Sequence, residues 1–430
     1  MSTICAVSTA QGGAIGIVRL SGPNSLSITD QIFKSKRTIA DAPGYTIHFG
    51  RIVEPGPTPT TIDEVLVSVF RSPSSYTGED MVEISCHGSS YILQKVMSLL
   101  IAHGAEAAQP GEFTKRAYMN GKMDLSQAEA VADLIASTSA ASHRIAMTQM
   151  RGGITAKLAS LRDQLLHLTS LLELELDFSD HEELSFADRD QLMTVATDIE
   201  AEITRLTSSF ATGNAIKQGI PVAIIGAPNV GKSTLLNQLL HEDRAIVSDI
   251  QGTTRDIIED TFVLQGVCFR FIDTAGIRHT DDAVEQMGIE RSIKAAQRAH
   301  IILLMSEPGV PYPDIDIRPD QHIIKILNKS DAFQALHGQG LDWLQSELIK
   351  CVPAINNDDV LISNLRHKQA LDLALIDIQN SIQSLSSGIP SDLVAEDLRQ
   401  CIAHLSEITG GAITPNEVLS NIFSKFCIGK

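Results

Sequence analysis

The apolar, β-branched run "PVAII" leads into "GAPNVGKST" (Gly226–Thr234) and then "KSTLLNQLL". The match to G-x-x-x-x-G-K-[ST] restricts the fold more than any other feature of the chain. Such a loop joins the end of a buried parallel strand to the start of a helix. Its free N–H groups and the helix dipole favour an anion. A nucleotide phosphate is the expected occupant, lined by Asn229, Val230, Gly231, Lys232, Ser233 and Thr234. Lys232 is expected to reach the β- and γ-phosphates, and the Ser233 hydroxyl to ligate Mg2+.

Two further elements follow in order. "QGTTRD" offers Thr253 and Thr254, the latter a second hydroxyl for Mg2+. The loop before it (Ser248, Asp249, Ile250, Gln251, Gly252) can fold over the nucleotide. "FRFIDTAG" reads as a strand ending in Asp273, followed by Thr274, Ala275 and Gly276, whose N–H can reach the γ-phosphate. "IIKILNKSD" then reads as a strand ending in N-K-x-D. The Asp331 carboxylate can accept from two guanine N–H groups, which adenine does not present, while Asn328 and Lys329 flank the purine. GTP is therefore the expected substrate. A base-capping loop should follow, but "QALHGQGLDWL" (Gln334–Leu344) is short and has no serine.

The water-orienting glutamine that often follows the switch glycine is absent, because Ile277 stands there. Two readings of the charge problem remain open. Arg255 or Arg278 can act as a finger in cis. Alternatively, Asn229 brings a neutral side-chain oxygen to the loop, and Ser248, Ile250 and Thr253 can add oxygens around a K+, as carbonyls do in a channel filter.

Around this segment the texture changes. Residues 1–118 read as mixed α+β, with strands in "AIGIVRLSG", "TIDEVLVSVF" and "DMVEISCHG" and a helix in "SSYILQKVMSLLIAHG". Residues 119–215 and 356–430 carry apolar residues at helical spacing. Between them, residues 216–355 alternate strand and helix, which implies a parallel sheet. The expected fold is multidomain, α/β and α+β, with an α/β domain inserted into a helical one.

Composition narrows the classes. At 430 residues and 43% hydrophobic content the chain suits a multidomain globular protein. No apolar run approaches the about 18 residues of a membrane span, and no signal peptide is expected. The 6 cysteines are scattered, which favours reduced thiols and a cytoplasmic location over disulfides or a zinc site. A net charge of −18 argues against a broad basic surface for nucleic acid. The acidic stretch "ELELDFSDHEE" reads as a solvated helix end rather than a cation site.

With these motifs in place, the chain resembles the MnmE (TrmE) family of tRNA-modifying GTPases. The likeness rests on "GIVRLSG", "YTGEDMVEISCHGS", "QPGEFTKRAYMNGKMDLSQAEAVADLI", "GAPNVGKSTLLN", "DIQGTTRDIIED", "DTAGIRHTDDAVEQMGIERS", "LSEITG" and the terminal "FCIGK". It implies an N-terminal folate-binding domain that dimerises, a discontinuous all-α helical domain and an inserted Ras-like P-loop G domain. It implies joint work with an FAD-dependent partner, as a heterotetramer, on tRNA. A carboxymethylaminomethyl-type group would be added at C5 of the wobble uridine, with a tetrahydrofolate derivative as one-carbon donor.

By the same resemblance Glu285 corresponds to the catalytic residue that orients the water. Arg19, Glu83, Lys122 and Lys430 correspond to folate positions, and Cys427 lies near the folate. The resemblance also favours K+ over an arginine finger. A ribosome-assembly or RNA-chaperone GTPase is the alternative, but no basic RNA-binding module follows the nucleotide motifs.

Overall fold

The computed structural model describes residues 1–10, 12–177, 189–242, 260–272, 294–331, 333–353, 359–411, 419, 422–424 and 426–429. The chain is mixed α/β and forms two compact units, Met1–Ala132 with Leu405–Lys430, and Asp133–His404.

The first unit is built on a seven-stranded sheet. Its strands are β1 (Ile4–Val7), β2 (Ile15–Ser21), β3 (Phe33–Lys34), β4 (Thr46–Glu54), β5 (Thr60–Phe70), β6 (Met81–His87) and β7 (Glu106–Ala107). They lie in the order β3-β4-β5-β6-β2-β1-β7, antiparallel except for β1 with β7. The period-2 alternation sets the two faces. Val65, Val67 and Val69 of β5 point into a core with Val18, Leu20, Val82 and Ile84. Helices α1 (Ser25–Ile32) and α2 (Ser90–Ala102) contribute Leu26, Ile28, Leu93, Val96 and Leu100 to it.

Part of the opposite face is left open. Phe49 of β4 pairs with Leu66 of β5, and both are exposed, as is Ile47. Beside β1 the same face is covered by Phe113 of α3 (Glu112–Met119), which packs on Ile4, Ala6 and Tyr76. A smaller cluster joins Leu125, Ala128 and Val131 of α4 (Leu125–Ala136) to Leu419, Phe423 and Phe426.

The second unit holds the helices α5 (Ala140–Met150), α6 (Gly153–Asp177), α7 (Arg189–Ser208) and α8 (Phe210–Gln218), and a five-stranded sheet. A further helix, Leu365–Ser386, runs against α7. The sheet contains β8 (Ile220–Gly226), β9 (Asp260–Leu264), β10 (Val267–Phe271), β11 (Ile301–Ser306) and β12 (His322–Leu327), in the order β12-β11-β8-β10-β9. All six residues of β11 are buried, as expected of a strand covered on both faces. Helix α9 (Lys232–Glu242) and the helix Leu341–Lys350 pack on one face through Leu235, Leu239, Leu344 and Leu348.

The sheet departs from all-parallel at one place. β9 and β10 form an antiparallel hairpin. Its two-residue loop, Gln265–Gly266, has positive φ at both positions (48° and 79°), the geometry that suits the twist of a tight hairpin.

Candidate functional site

The G-x-x-x-x-G-K-[ST] stretch joins a strand to a helix. β8 ends at Gly226, the loop crosses Ala227–Gly231, and α9 begins at Lys232. Asn229 adopts the left-handed conformation (φ 59°) with its side chain exposed; Val230 is buried beneath it. Gly231 is fixed by space as well as by φ, since a Cβ there would lie 2.3 Å from Asn328 Nδ2. Ser233 and Thr234 sit half-buried in the first turn of α9.

Lys232 is folded onto its own loop. Its Nζ donates to Gly226 O (2.9 Å) and Ala227 O (2.8 Å), and burial lowers its pKa below that of a free lysine. The ammonium is thus held partly out of water on two backbone carbonyls.

The N-K-x-D segment is tied to the phosphate loop by two side chains. Asn328 is 4% exposed; its Nδ2 donates to Val230 O (2.7 Å) and its Oδ1 accepts from Ala335 N (2.9 Å). Its amide is thus spent on backbone groups of two loops. Lys329, also left-handed (φ 56°), donates from Nζ to Asn229 O (3.1 Å) and pairs with Glu307 (2.5 Å). Asp331 is exposed, and its backbone carbonyl accepts from Gln339 Nε2. The short stretch after it forms a tight turn in which Gln334 and Gln339 exchange backbone hydrogen bonds (3.0 and 3.2 Å).

The sequence did not single out Glu307 or Ala335, because their part in the site comes from folding. Ser248, Asp249, Ile250, Gln251, Gly252, Thr253, Thr254, Asp273, Thr274, Ala275, Gly276, Glu285 and Lys430 lie outside the described residues.

The first unit gathers a second cluster. Arg19 of β2 and Glu83 of β6 are register partners, and Glu83 Oε1 accepts from Arg19 Nε (2.9 Å) and Nη2 (2.8 Å). The guanidinium carbon lies 5.7 Å from the ring centres of both Tyr76 and Phe113, within cation–π range. Its Nη1 donates to Gly429 O (3.1 Å), so carbonyl, carboxylate and rings surround the cation. Lys122 bonds elsewhere. Its Nζ donates to Pro73 O (3.0 Å), in the loop that carries Tyr76. Cys427 is exposed, two residues before Gly429. Tyr76 and Phe113 were not legible as site residues, since aromatic side chains in a small core usually only pack.

Among the described residues no group of His, Cys, Asp and Glu has a metal-holding arrangement, and no helix is long and apolar enough to cross a membrane.

Two family models match the chain. The GTP-binding protein TrmE N-terminus matches residues 3–122, and the MnmE helical domain matches residues 125–427. A protein of Parabacteroides distasonis, named tRNA modification GTPase MnmE, is 52% identical, with 100% of each chain covered. Proteins of the same name from Phocaeicola vulgatus and Cytophaga hutchinsonii are 50% and 45% identical, covering 100% of this chain and 99% and 98% of their own. With both units matched and relatives this close along the whole length, the chain belongs to the MnmE/TrmE family.

Proposed function

We propose that this chain is a GTP-hydrolysing tRNA-modification protein. It would act in the cytoplasm with an FAD-dependent partner, as a heterotetramer. Together they would add a carboxymethylaminomethyl-type group at C5 of the wobble uridine, with a tetrahydrofolate derivative as one-carbon donor. The observation that carries the reading is the phosphate loop at the end of β8, tied through Asn328 and Lys329 to the guanine-type motif. A family whose relatives are named tRNA modification GTPase supports it. Domain bounds of 1–118, 119–215, 216–355 and 356–430 go with it, the third being an inserted Ras-like G domain.

The roles divide by chemistry. Asp331 reads guanine, Lys232 neutralises the β- and γ-phosphates, and Glu285 orients the attacking water. Ser233 and Thr254 would hold Mg2+, whose charge offsets that of the phosphates. K+ would sit among oxygens of Asn229, Ser248, Ile250 and Thr253. The exposed Asn229 side chain makes no hydrogen bond among the described residues, which fits a ligand role.

The folate would use Glu83. Its Oε1 faces Arg19, while its Oε2 has no partner among the described residues and suits the N–H donors of a pterin. Lys122 and Lys430 are the cations offered to the glutamyl carboxylates. The open face at Ile47, Phe49 and Leu66 supports a homodimer through the first unit, since exposed apolar patches mark interaction sites.

The decisive experiment is to delete the gene and analyse bulk tRNA nucleosides by mass spectrometry. Loss of the C5 wobble-uridine modification, restored by the intact gene, is expected. An unchanged nucleoside profile returns the chain to the ribosome-assembly reading.

A further inference from the structure

The entry ends of β8 and β11 open onto a cleft of 170 Å3 beside α8, at the end of β8 opposite the phosphate loop. The cleft lies wholly within the second unit. α8 lines it with Asn214 and Gln218, four residues apart and therefore on one face of the helix. Arg298 and His300 line it from just before β11, Arg270 from β10, and Arg318 from the segment leading into β12. Gly219 follows α8 with φ 88°, and a Cβ there would stand 3.2 Å from Arg270 Cβ. The bare backbone is what lets this arginine close on the helix.

In a chain of net charge −18, no Asp or Glu lines this cleft, while three arginines and a histidine do. A second ring, His322, meets His300 edge-on with centres 5.4 Å apart. His300 registers these surroundings. Burial lowers its pKa, and His322 and Arg318 lower it further, against Asp320.

The hydrogen bonds point the same way. Acceptors at the cleft are spent: Pro221 O accepts from His300 N (2.8 Å), and Ala299 O from Gln321 Nε2 (2.8 Å). Donors are not. The side chains of Arg298, Asn214 and Gln218 make no hydrogen bond or ion pair among the described residues. Arg318 pairs with Asp320 at 3.3 Å, but the two side chains are 51% and 65% exposed, and an ion pair in that much water is weak and readily exchanged.

Volume sets the size of the guest. Pockets that enclose a drug-sized ligand run to about 300–1,000 Å3, and this one is smaller. A single tetrahedral oxyanion fits, and it matches the paired N–H donors of a guanidinium. We propose that the cleft between α8 and the entry ends of β8 and β11 is a phosphate-group site, held by Arg298, Arg318 and His300 with amide donors from Asn214 and Gln218. The group arrives either as free phosphate or on the backbone of an RNA, and the exposed rim at Arg298 and Arg318 admits both.

The test uses the full chain, with histidine labelled by 13C at Cε1 for NMR. Arg298→Ala and Arg318→Gln remove rim charges, and Arg162→Ala, exposed on α6, is the control. His300→Gln serves only to assign the His300 signal. Inorganic phosphate is titrated against chloride at constant ionic strength. We expect a saturable shift of the His300 signal and a rise in its pKa, because a nearby anion favours the charged imidazole. Either rim substitution should weaken that response about 10-fold, the worth of one charge-assisted hydrogen bond. Arg162→Ala should match the parent, and melting temperatures check that the variants fold.

A second arm measures tRNA binding over a range of salt. If the phosphate belongs to RNA, Arg298→Ala binds tRNA more weakly, and the plot of log K against log salt loses a slope of about 1. If tRNA binding is unchanged while the phosphate response is lost, the guest is the free ion. A His300 signal unmoved by phosphate, together with parent-like tRNA binding in both rim variants, would overturn the proposal. So would a saturable shift of equal affinity in the parent and both folded rim variants. Only the RNA arm rests on the tRNA reading above. Should the parent bind no tRNA, that reading fails and the phosphate titration alone decides the site.

Discussion

At the scale of single residues, the proposed nucleotide site turns on which polar atoms are already spent. The Asp331 carboxylate is exposed at the end of the N-K-x-D turn, while its own backbone carbonyl is held by Gln339. Base reading by this side chain, as proposed, is testable. Asp331→Asn should weaken GTP binding by about 10–100-fold, the worth of a charge-assisted hydrogen bond or two, and shift preference toward xanthine nucleotides. Titration with fluorescent GTP and XTP analogues checks it; unchanged GTP affinity would remove the base-reading role. Asn229 is the second case. Its left-handed backbone gives its carbonyl to Lys329 and leaves its side chain outward. We expect GTP turnover to fall when K+ is replaced by Na+, and Asn229→Ala to lose that response while still binding GTP. The loss can approach the range of about 10³–10⁵ set by arginine fingers, which act at the same charge. Equal initial rates in the two salts would return the role to Arg255 or Arg278. The residue types of this site were readable from the motif. The use of the Asn328 amide was not, because a pattern gives spacing and does not say which loop will come within 3 Å.

Elements show why some of the fold was legible and some was not. β8, its loop and α9 could be placed because the G-x-x-x-x-G-K-[ST] pattern goes with a strand, a loop and a helix in that order. β5 and β6 could be placed because their inward residues are apolar. β4 hides itself. Its apolar Ile47 and Phe49 point outward, while Gly50 lies inward, where a Cβ would meet Phe33 and Lys34 O at 2.5 Å. The β9–β10 hairpin is equally quiet, since Gln-Gly is a weaker turn signal than Asn-Gly. Two expectations belong at this scale. Asn328→Ala leaves Val230 O and Ala335 N without their partner in a buried place, at a cost of about 1–3 kcal/mol for each. Urea unfolding should report that loss, with nucleotide affinity reduced as well, and parent-like stability would deny the tie. The second expectation concerns β11. His300, just before it, has its pKa lowered by burial, and nearby His322 and Arg318 push the same way against Asp320. The folded state therefore binds this proton later than the unfolded chain does. Stability should be level above the unfolded value of 6.5 and should fall as pH drops below it. His300→Gln should flatten that part of the curve in thermal melts taken between pH 7 and about 5.

For the whole molecule, the open face of the seven-stranded sheet sets the expected assembly. Phe49→Arg should turn a dimer into a monomer by light scattering, with a melting temperature near that of the parent monomer, because the side chain is already 65% exposed. A dimer that survives the substitution must close elsewhere. The division into units has a consequence during synthesis. The first unit begins at Met1 but needs Leu419, Phe423 and Phe426 to cover Leu125, Ala128 and Val131. All of Asp133–His404 is translated in between. At roughly 5–20 residues per second, that interval is on the order of tens of seconds. Throughout it, the nascent chain carries an uncovered apolar strip on α4 that no downstream helix has yet reached. The sheet of the first unit is thus made well before the residues that complete its α4 cluster.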